Sequence, residues 1–299
     1  MHPDSLRRPD RRLVLGGLTA ALTGMAAPAF GANRDLQLTT SLGGRPLVLR
    51  SDARFAGAVS SLQLGGREYV DDNDHGRLFQ GAVQFMGAGE CLNPTQAGAS
   101  RDRTRSTSRI VTARVGGDSW DVTTQAAYWL RPRDSCALDG RSRRALNRTR
   151  LSPTLITQRH QFGAFGDLPA VASEMLVSLS EPRSDAVVEA FTIYTPPAFS
   201  RFELFQDGAL AADSDVVESP GERPVPIVLS TEDGQAAFAF LSRNEEPCGY
   251  GRWRFSDCSK LNLVYRPRDG LPAGSRGWSA AWTAGSRDEV LAALRTLSR

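Results

Sequence analysis

From residue 33 onward, apolar and polar residues alternate at period two in short runs separated by glycine- and aspartate-rich breaks, the pattern of half-buried antiparallel strands. Leu62–Leu64 and Arg67–Val70 flank Gly65-Gly66, a two-residue break suited to the primed hairpin turns. Ile110–Val115 and Trp120–Leu130 flank Gly116-Gly117-Asp118, and Ile227–Ser230 and Ala236–Leu241 flank Glu232-Asp233-Gly234. Further strands are predicted at Leu36–Thr40, Leu47–Arg50, Leu155–Phe162, Ser173–Leu179, Val187–Tyr194, Trp253–Phe255, Leu261–Arg266 and Gly277–Thr283. Only the C-terminus carries a clear helix signal. Ser286 and Glu289 form a capping box, and Val290, Leu291, Leu294 and Leu297 line one face. Arg131–Pro153 and Ser214–Val225 read as long loops, and Pro196-Pro197 ends a strand. With no internal repeat and no break in composition, residues 33–299 are predicted to form one all-β domain. Its expected architecture is a large antiparallel two-sheet β-sandwich, a supersandwich, with one short C-terminal helix.

Residues 1–32 read as an export signal rather than as part of that domain. Arg7, Arg8, Arg11 and Arg12 precede an apolar run from Leu13 to Ala29, with small residues at the cleavage region Ala27–Ala32. Asp10-Arg11-Arg12-Leu13-Val14-Leu15 resembles the twin-arginine export motif; an ordinary secretory signal or an uncleaved anchor is the plainer alternative. No later segment is long and apolar enough to span a bilayer. Periplasmic or secreted localisation follows. Cleavage removes four Arg and two Asp, lowering the formal net charge from +3 to +1 and leaving no case for nucleic acid or a membrane as partner. Of the 36 basic residues only Lys260 is lysine, a bias that reads as GC-rich coding. Four cysteines in an exported chain allow two disulfides. Cys248 and Cys258 flank a stretch that a hairpin could bridge, which would pair Cys91 with Cys136.

The densest chemistry lies between Asp71 and Gly98, where Asp74, His75, Arg77, Glu90, Asn93 and Gln96 crowd one short window. His75 follows a strand end and is the natural proton shuttle, with a reference pKa near 6.5 that Asp72 or Asp74 would tune. Without a ligand to serve, Asp72-Asn73-Asp74 is simply an Asx-rich turn. Glu90, on a glycine-rich loop, is the candidate general acid or base, with Asn93 and Gln96 to bind hydroxyl groups. His160 shares a strand face with Gln158 and Phe162, so it is either a partner histidine in the site or a satisfied core residue. Tyr250 and Arg252 share a face opposite Trp253 and Phe255; an arginine beside an aromatic suits a neutral or carboxylate-bearing sugar, and an edge strand with solvated arginines is the alternative. No nucleophile elbow, phosphate loop, dinucleotide fingerprint or His-Glu-x-x-His motif is present.

The opening segment Ala58-Val59-Ser60-Ser61-Leu62-Gln63-Leu64-Gly65-Gly66-Arg67-Glu68 is similar to the start of galactose-mutarotase-like (aldose epimerase) domains, where a strand pair with a glycine-rich turn leads to the sugar site. The resemblance implies a β-supersandwich acting on carbohydrate. It also implies proton transfer by two histidines and a carboxylate, or by a His–Tyr–Arg set in lyase relatives. His75 and His160 are the only histidines after residue 32. The resulting expectation is an exported monomeric carbohydrate-active enzyme working by general acid–base chemistry on a sugar ring or glycosidic bond. His75, Glu90 and His160 would be catalytic, with Asp74, Arg77, Asn93, Gln96, Gln158, Tyr250 and Arg252 on the poly- or oligosaccharide. No cofactor is expected beyond a calcium ion held by Asp72, Asp74 and Glu90 as the weakest reading. The alternative is a non-catalytic glycan-binding or envelope module.

Overall fold

A computed structural model describes residues 33–85 and 87–299; residues 1–32, which the sequence reads as an export signal, lie outside the described residues. Strands β1 (Leu36–Leu42), β2 (Arg45–Ser51), β3 (Ser61–Leu64) and β4 (Arg67–Glu68) form an antiparallel four-stranded sheet in sequence order. The chain continues through β5 (Gln80–Gln84), β6 (Pro94–Thr95), β7 (Arg109–Gly116) and β8 (Ser119–Tyr128). A separate hairpin, β9 (Ser135–Leu138) with β10 (Arg141–Arg144), precedes β11 (Leu151–Gln161), β12 (Ala170–Leu179) and β13 (Val187–Thr195). Then come β14 (Phe199–Gln206), β15 (Ala209–Ala212), β16 (Gly221–Arg223), β17 (Ile227–Thr231) and β18 (Ala237–Ser242). The last elements are β19 (Cys248–Arg254), β20 (Ser259–Tyr265), β21 (Gly274–Gly285) and the helix α1 (Arg287–Leu297).

Fifteen of these strands join edge to edge in the order β15-β14-β17-β18-β21-β12-β11-β8-β6-β5-β13-β20-β19-β16, with β7 also paired to β8. The sheet folds over on itself at the short β6–β5 junction, so that β13, β20 and β19 lie against β18 and β21. Phe191 of β13 meets Phe240 of β18 with ring centroids 6.1 Å apart, and the Tyr265 hydroxyl donates to Ser242 Oγ at 2.8 Å. Between the layers Trp120, Trp278 and Trp282 are fully buried among Phe79, Phe191 and Phe238. Each such ring contributes about 1.5–3 kcal/mol by leaving water. The all-β, two-layer antiparallel architecture is as the alternation of residues predicts.

Local chemistry explains the connections. Gly65 and Gly66 adopt φ of +58° and +83°, which the primed turn between β3 and β4 requires. Two hairpins lie where the sequence reads as loop or unassigned: β9–β10 turns on Asp139-Gly140 and β14–β15 on Asp207-Gly208, all four residues at positive φ. At α1, Ser286 Oγ accepts from Glu289 N at 3.3 Å and Glu289 Oε2 accepts from Ser286 N at 2.7 Å, completing the capping box. The helix packs Val290 and Leu294 on Phe205, Val228 and Ala239, covering the outer face of β14, β17 and β18.

The cysteine pairing corrects part of the sequence expectation. Cys91 and Cys136 form a disulfide that ties the β9–β10 hairpin to the 3-10 turn Gly89–Leu92. Cys248 and Cys258 are free thiols. Cys248 begins β19 and Cys258 immediately precedes β20 at the turn end of the same hairpin, whose register sets Cys248 opposite Tyr265. A strand's length therefore separates them. Thiol titration of the denatured, unreduced protein should find two free thiols, and peptide mapping should recover only the Cys91–Cys136 link. Closing a 45-residue separation, the bond stabilises the fold by about 4 kcal/mol on the chain-entropy estimate, so the Cys91→Ser/Cys136→Ser variant should unfold at markedly lower denaturant.

Candidate functional site

The polar window between Asp71 and Gly98 turns largely inward. His75 is buried, its Nδ1 3.0 Å from Ala97 O and its Nε2 3.3 Å from Arg103 O, with Phe55 edge-on at 4.9 Å. Gln80 donates to His75 O and Gly76 O and accepts from Ala97 N, and Gln96 accepts from Gly81 N. Asn93, with its amide nitrogen toward Val83 O and Pro94 O, is buried too. These side chains satisfy backbone groups along an irregular crossover that the fold has buried. Asp74 caps its own turn through Gly76 N at 2.7 Å, and Arg77 pairs with Asp257 at 2.6 Å. Asp72 lies 3.7 Å from Arg54, and among the described residues no group of three or more His, Cys, Asp or Glu is placed to hold a metal.

The strand-borne candidates lie between the layers. His160 Nδ1 is 2.7 Å from Ser173 Oγ, its Nε2 has no partner among the described residues, and burial pushes its pKa down to about 3. Gln158 is fully buried with both amide atoms unpartnered. The Tyr250 hydroxyl accepts from Ser242 N at 3.1 Å. Arg252 is buried in an ionic cluster with Asp213 and Asp215, donating also to Ser219 O at 2.5 Å. His75 and His160 thus have different neighbours among the described residues, and His160 lines a hollow of about 560 Å³ whose wall does not include His75.

A different set of side chains faces water together. The outward face of β5, β6, β13, β19 and β20 forms a cleft of about 500 Å³, closed on one side by Glu90, Asn93 and Trp129 and on the other by Glu222, Phe255 and Arg266. Its centre depends on an irregularity in β13. The register shifts between Glu189 and Phe191, so Ala190 and Phe191 both enter the core while Glu189 and Thr192 emerge on the same face. Glu189 then accepts from Gln84, Thr192, Lys260 and Asn262 at 2.9, 3.3, 2.8 and 2.8 Å. Lys260 Nζ stands 4.6 Å from the Trp253 ring centroid and 5.6 Å from that of Tyr194, which stacks on Phe255. Gly251 keeps the floor flat: a Cβ there would meet the Trp253 ring at 2.5 Å and Asn262 Oδ1 at 2.0 Å.

The electrostatics of this centre are settled by pairing. Burial alone would raise the Glu189 carboxyl, but Lys260, Asn262 and Thr192 outweigh it and hold the group below the ordinary carboxylate range. Burial would lower Lys260, and Glu189 with Tyr194 reverses that and raises it. Burial raises the Tyr194 phenol. At neutral pH the cleft therefore holds an anionic Glu189, a cationic Lys260 and a neutral Tyr194. Glu222 is matched by Arg266 through two contacts of 2.6 and 2.7 Å, whereas Glu90 has no ion-pair partner among the described residues. A neighbouring hollow of about 670 Å³ lies beyond the Glu222–Arg266 pair but has no aromatic side chain in its wall.

Of the residues singled out from the sequence, Glu90 and Asn93 line this cleft. Glu189, Trp253, Lys260 and Asn262 were not among them. Of these only Lys260 stands out in the sequence, as the lone lysine among 36 basic residues.

No known family pattern matches the chain, and no curated protein matches it in sequence. Solved structures similar to it include the GH36 α-galactosidase AgaB of Geobacillus stearothermophilus, at 9% identity and TM-score 0.49 over 89% of this chain and 42% of that one. A heparan sulfate lyase HepC mutant of Pedobacter heparinus aligns at 7% identity and TM-score 0.43, over 86% of this chain and 36% of that one. The galactose mutarotase related enzyme of Lactobacillus acidophilus aligns at 10% identity and TM-score 0.41, over 85% of this chain and 98% of that one. The chain thus spans about two-fifths of the α-galactosidase.

The depressed pKa of His160 has a measurable consequence for stability. The folded state keeps the ring neutral down to about pH 3, whereas the unfolded chain protonates it near pH 6.5. The unfolded state therefore binds the extra proton as pH falls, and stability present above pH 6.5 is lost below it at up to about 1.4 kcal/mol per pH unit. Denaturant unfolding at pH 7, 6 and 5 should show this slope reduced by that amount in His160→Phe; an unchanged slope would mean the ring is solvated in the native state.

Proposed function

We propose that this is an exported carbohydrate-active protein that takes a neutral saccharide into the cleft over β5, β13, β20 and β19. The observation that carries the reading is the convergence on one open face of aromatic rings, amides and an internally matched ion pair. Trp253, Tyr194, Phe255 and Trp129 offer apolar faces for the C–H side of a sugar ring, while Gln84, Asn262 and Lys260 offer donors at its edge. Two of the three carboxylates are matched by cations in place, so an uncharged ligand leaves no buried charge without a partner. An acidic sugar would bring a further anion beside Glu90. The Cys91–Cys136 disulfide agrees with an oxidising compartment outside the cytoplasm.

Recognition is the role these groups support best. Glu189 and Lys260 are each held in the charged form across neutral pH and do not exchange a proton there. A second reading, turnover of the bound sugar, is favoured by one observation: Glu90 stands at the rim with no cation to fix its charge, open to act as acid or base.

The test is a panel of bacterial and plant polysaccharides and their oligosaccharides, offered to the protein lacking residues 1–32. Binding, reducing-end release and unsaturated-product absorbance would be read together. A neutral member should bind, and Trp253→Ala should weaken it at least tenfold, the equivalent of about 1.4 kcal/mol of ring contact. Glu90→Gln should leave affinity within a few-fold and abolish any turnover. Undiminished binding by Trp253→Ala would place the sugar elsewhere.

A further inference from the structure

Lys260 is the one lysine in a chain whose other basic residues are all arginine, and it stands at the centre of the cleft. Elsewhere among the described residues carboxylates are met by arginine, through single contacts at Glu289, Asp257 and Glu174 and through a fork at two others. Arg287 holds Glu203 through contacts of 2.6 and 2.7 Å, and Arg266 holds Glu222 in the same way. Among the described residues only Glu189 is met by a lysine ammonium. We infer that Lys260 anchors the ligand and sets its specificity, donating to acceptor oxygens of a neutral sugar, and that arginine cannot replace it. This rests on the saccharide reading of the cleft.

The geometry supplies the reason. A guanidinium facing Glu189 would close both carboxylate oxygens in a planar fork and cover more of the Trp253 face than an ammonium does, leaving less of it for a sugar ring. The ammonium is compact. It sits 2.8 Å from Glu189 Oε2 and over the Trp253 and Tyr194 rings, 4.6 and 5.6 Å from their centroids, with one N–H on Glu189 and a second toward the Tyr194 hydroxyl, leaving one for a ligand. Gln84, Thr192 and Asn262 hold Glu189 in place, so the carboxylate orients the ammonium rather than competing for the ligand. Glu189 is accordingly a positioning residue and Lys260 the contact.

Having a single lysine makes this directly measurable. Growth on lysine carrying ¹³C at Cε labels Lys260 alone and keeps all three of its N–H donors, and a Lys260→Arg sample, which lacks the signal, confirms the assignment. The probes are cellotetraose, xylotetraose, mannotetraose, β-1,4-galactotetraose and maltotetraose, with tetragalacturonate as the acidic control. The Lys260 signal should shift with the neutral tetramer that binds. Lys260→Arg and Lys260→Met should both lose at least tenfold in affinity, although Lys260→Arg keeps a thermal midpoint close to that of the wild type. Equal binding by Lys260→Arg, a Lys260 signal that ignores a bound tetramer, or tighter binding of tetragalacturonate would overturn the inference and leave the cleft as a sugar site. Failure of every tetramer to bind would remove the saccharide reading and this inference with it.

Discussion

Fifteen antiparallel strands joined edge to edge accumulate too much twist to remain one flat layer. Open sheets beyond about ten strands curl, split or flatten. Here the sheet folds back at β6 and β5, its narrowest paired point, where β6 contributes only Pro94 and Thr95. The fold-back gives Trp120, Trp278 and Trp282 an opposing layer to pack against. It also fixes the cleft, because the strands beyond the fold, β5, β13, β20 and β19, bury one face on that layer and present the other to water. The core and the cleft thus occupy opposite faces of the same five-residue to nine-residue strands.

Within that frame the bulge in β13 matters more than any loop. Strict alternation would bury either Glu189 or Thr192. The extra residue sends Ala190 and Phe191 inward and leaves both polar side chains on the cleft face. A carboxylate brought so far out of water must be charge-matched and hydrogen-bonded, and Lys260, Gln84, Thr192 and Asn262 from three strands converge to do so. The network is preorganised before any ligand arrives. Rigid strands, rather than mobile loops, hold its members in register.

Period-two alternation made most of the sheet legible: β1, β2, β7, β8, β11, β12, β13, β20 and β21 lie where the pattern put them, and the capping box at Ser286 placed α1. Gln80–Gln84 was hidden because four of its five residues are buried, so it does not alternate. The β9–β10 and β14–β15 hairpins carried Asp-Gly pairs, the strongest short-range turn signal, the first inside an arginine-rich stretch read as loop and the second in a stretch given no assignment. The cleft was harder to see. Its centre is assembled from β5, β13, β19 and β20, which are far apart in sequence, and no local window contains more than a fragment of it.

The density of polar residues between Asp71 and Gly98 shows why local chemistry misdirects in such a fold. A buried segment with little regular structure leaves backbone donors and acceptors unpaired, and each one orphaned costs about 1–3 kcal/mol. His75, Gln80, Gln96 and Asp102 answer that need, bonding to Ala97, Arg103, Gly81, Ala99 and Thr107 backbone groups. A run of His, Asp and Gln in one window therefore has two physical explanations, and spacing alone does not separate them. Lys260 is a different kind of signal. Arginine serves every other Lys/Arg position in the chain, and the exception falls at the centre of the cleft. The residue that breaks the compositional rule stands over Trp253 and against the one carboxylate that the β13 bulge lifts into the cleft.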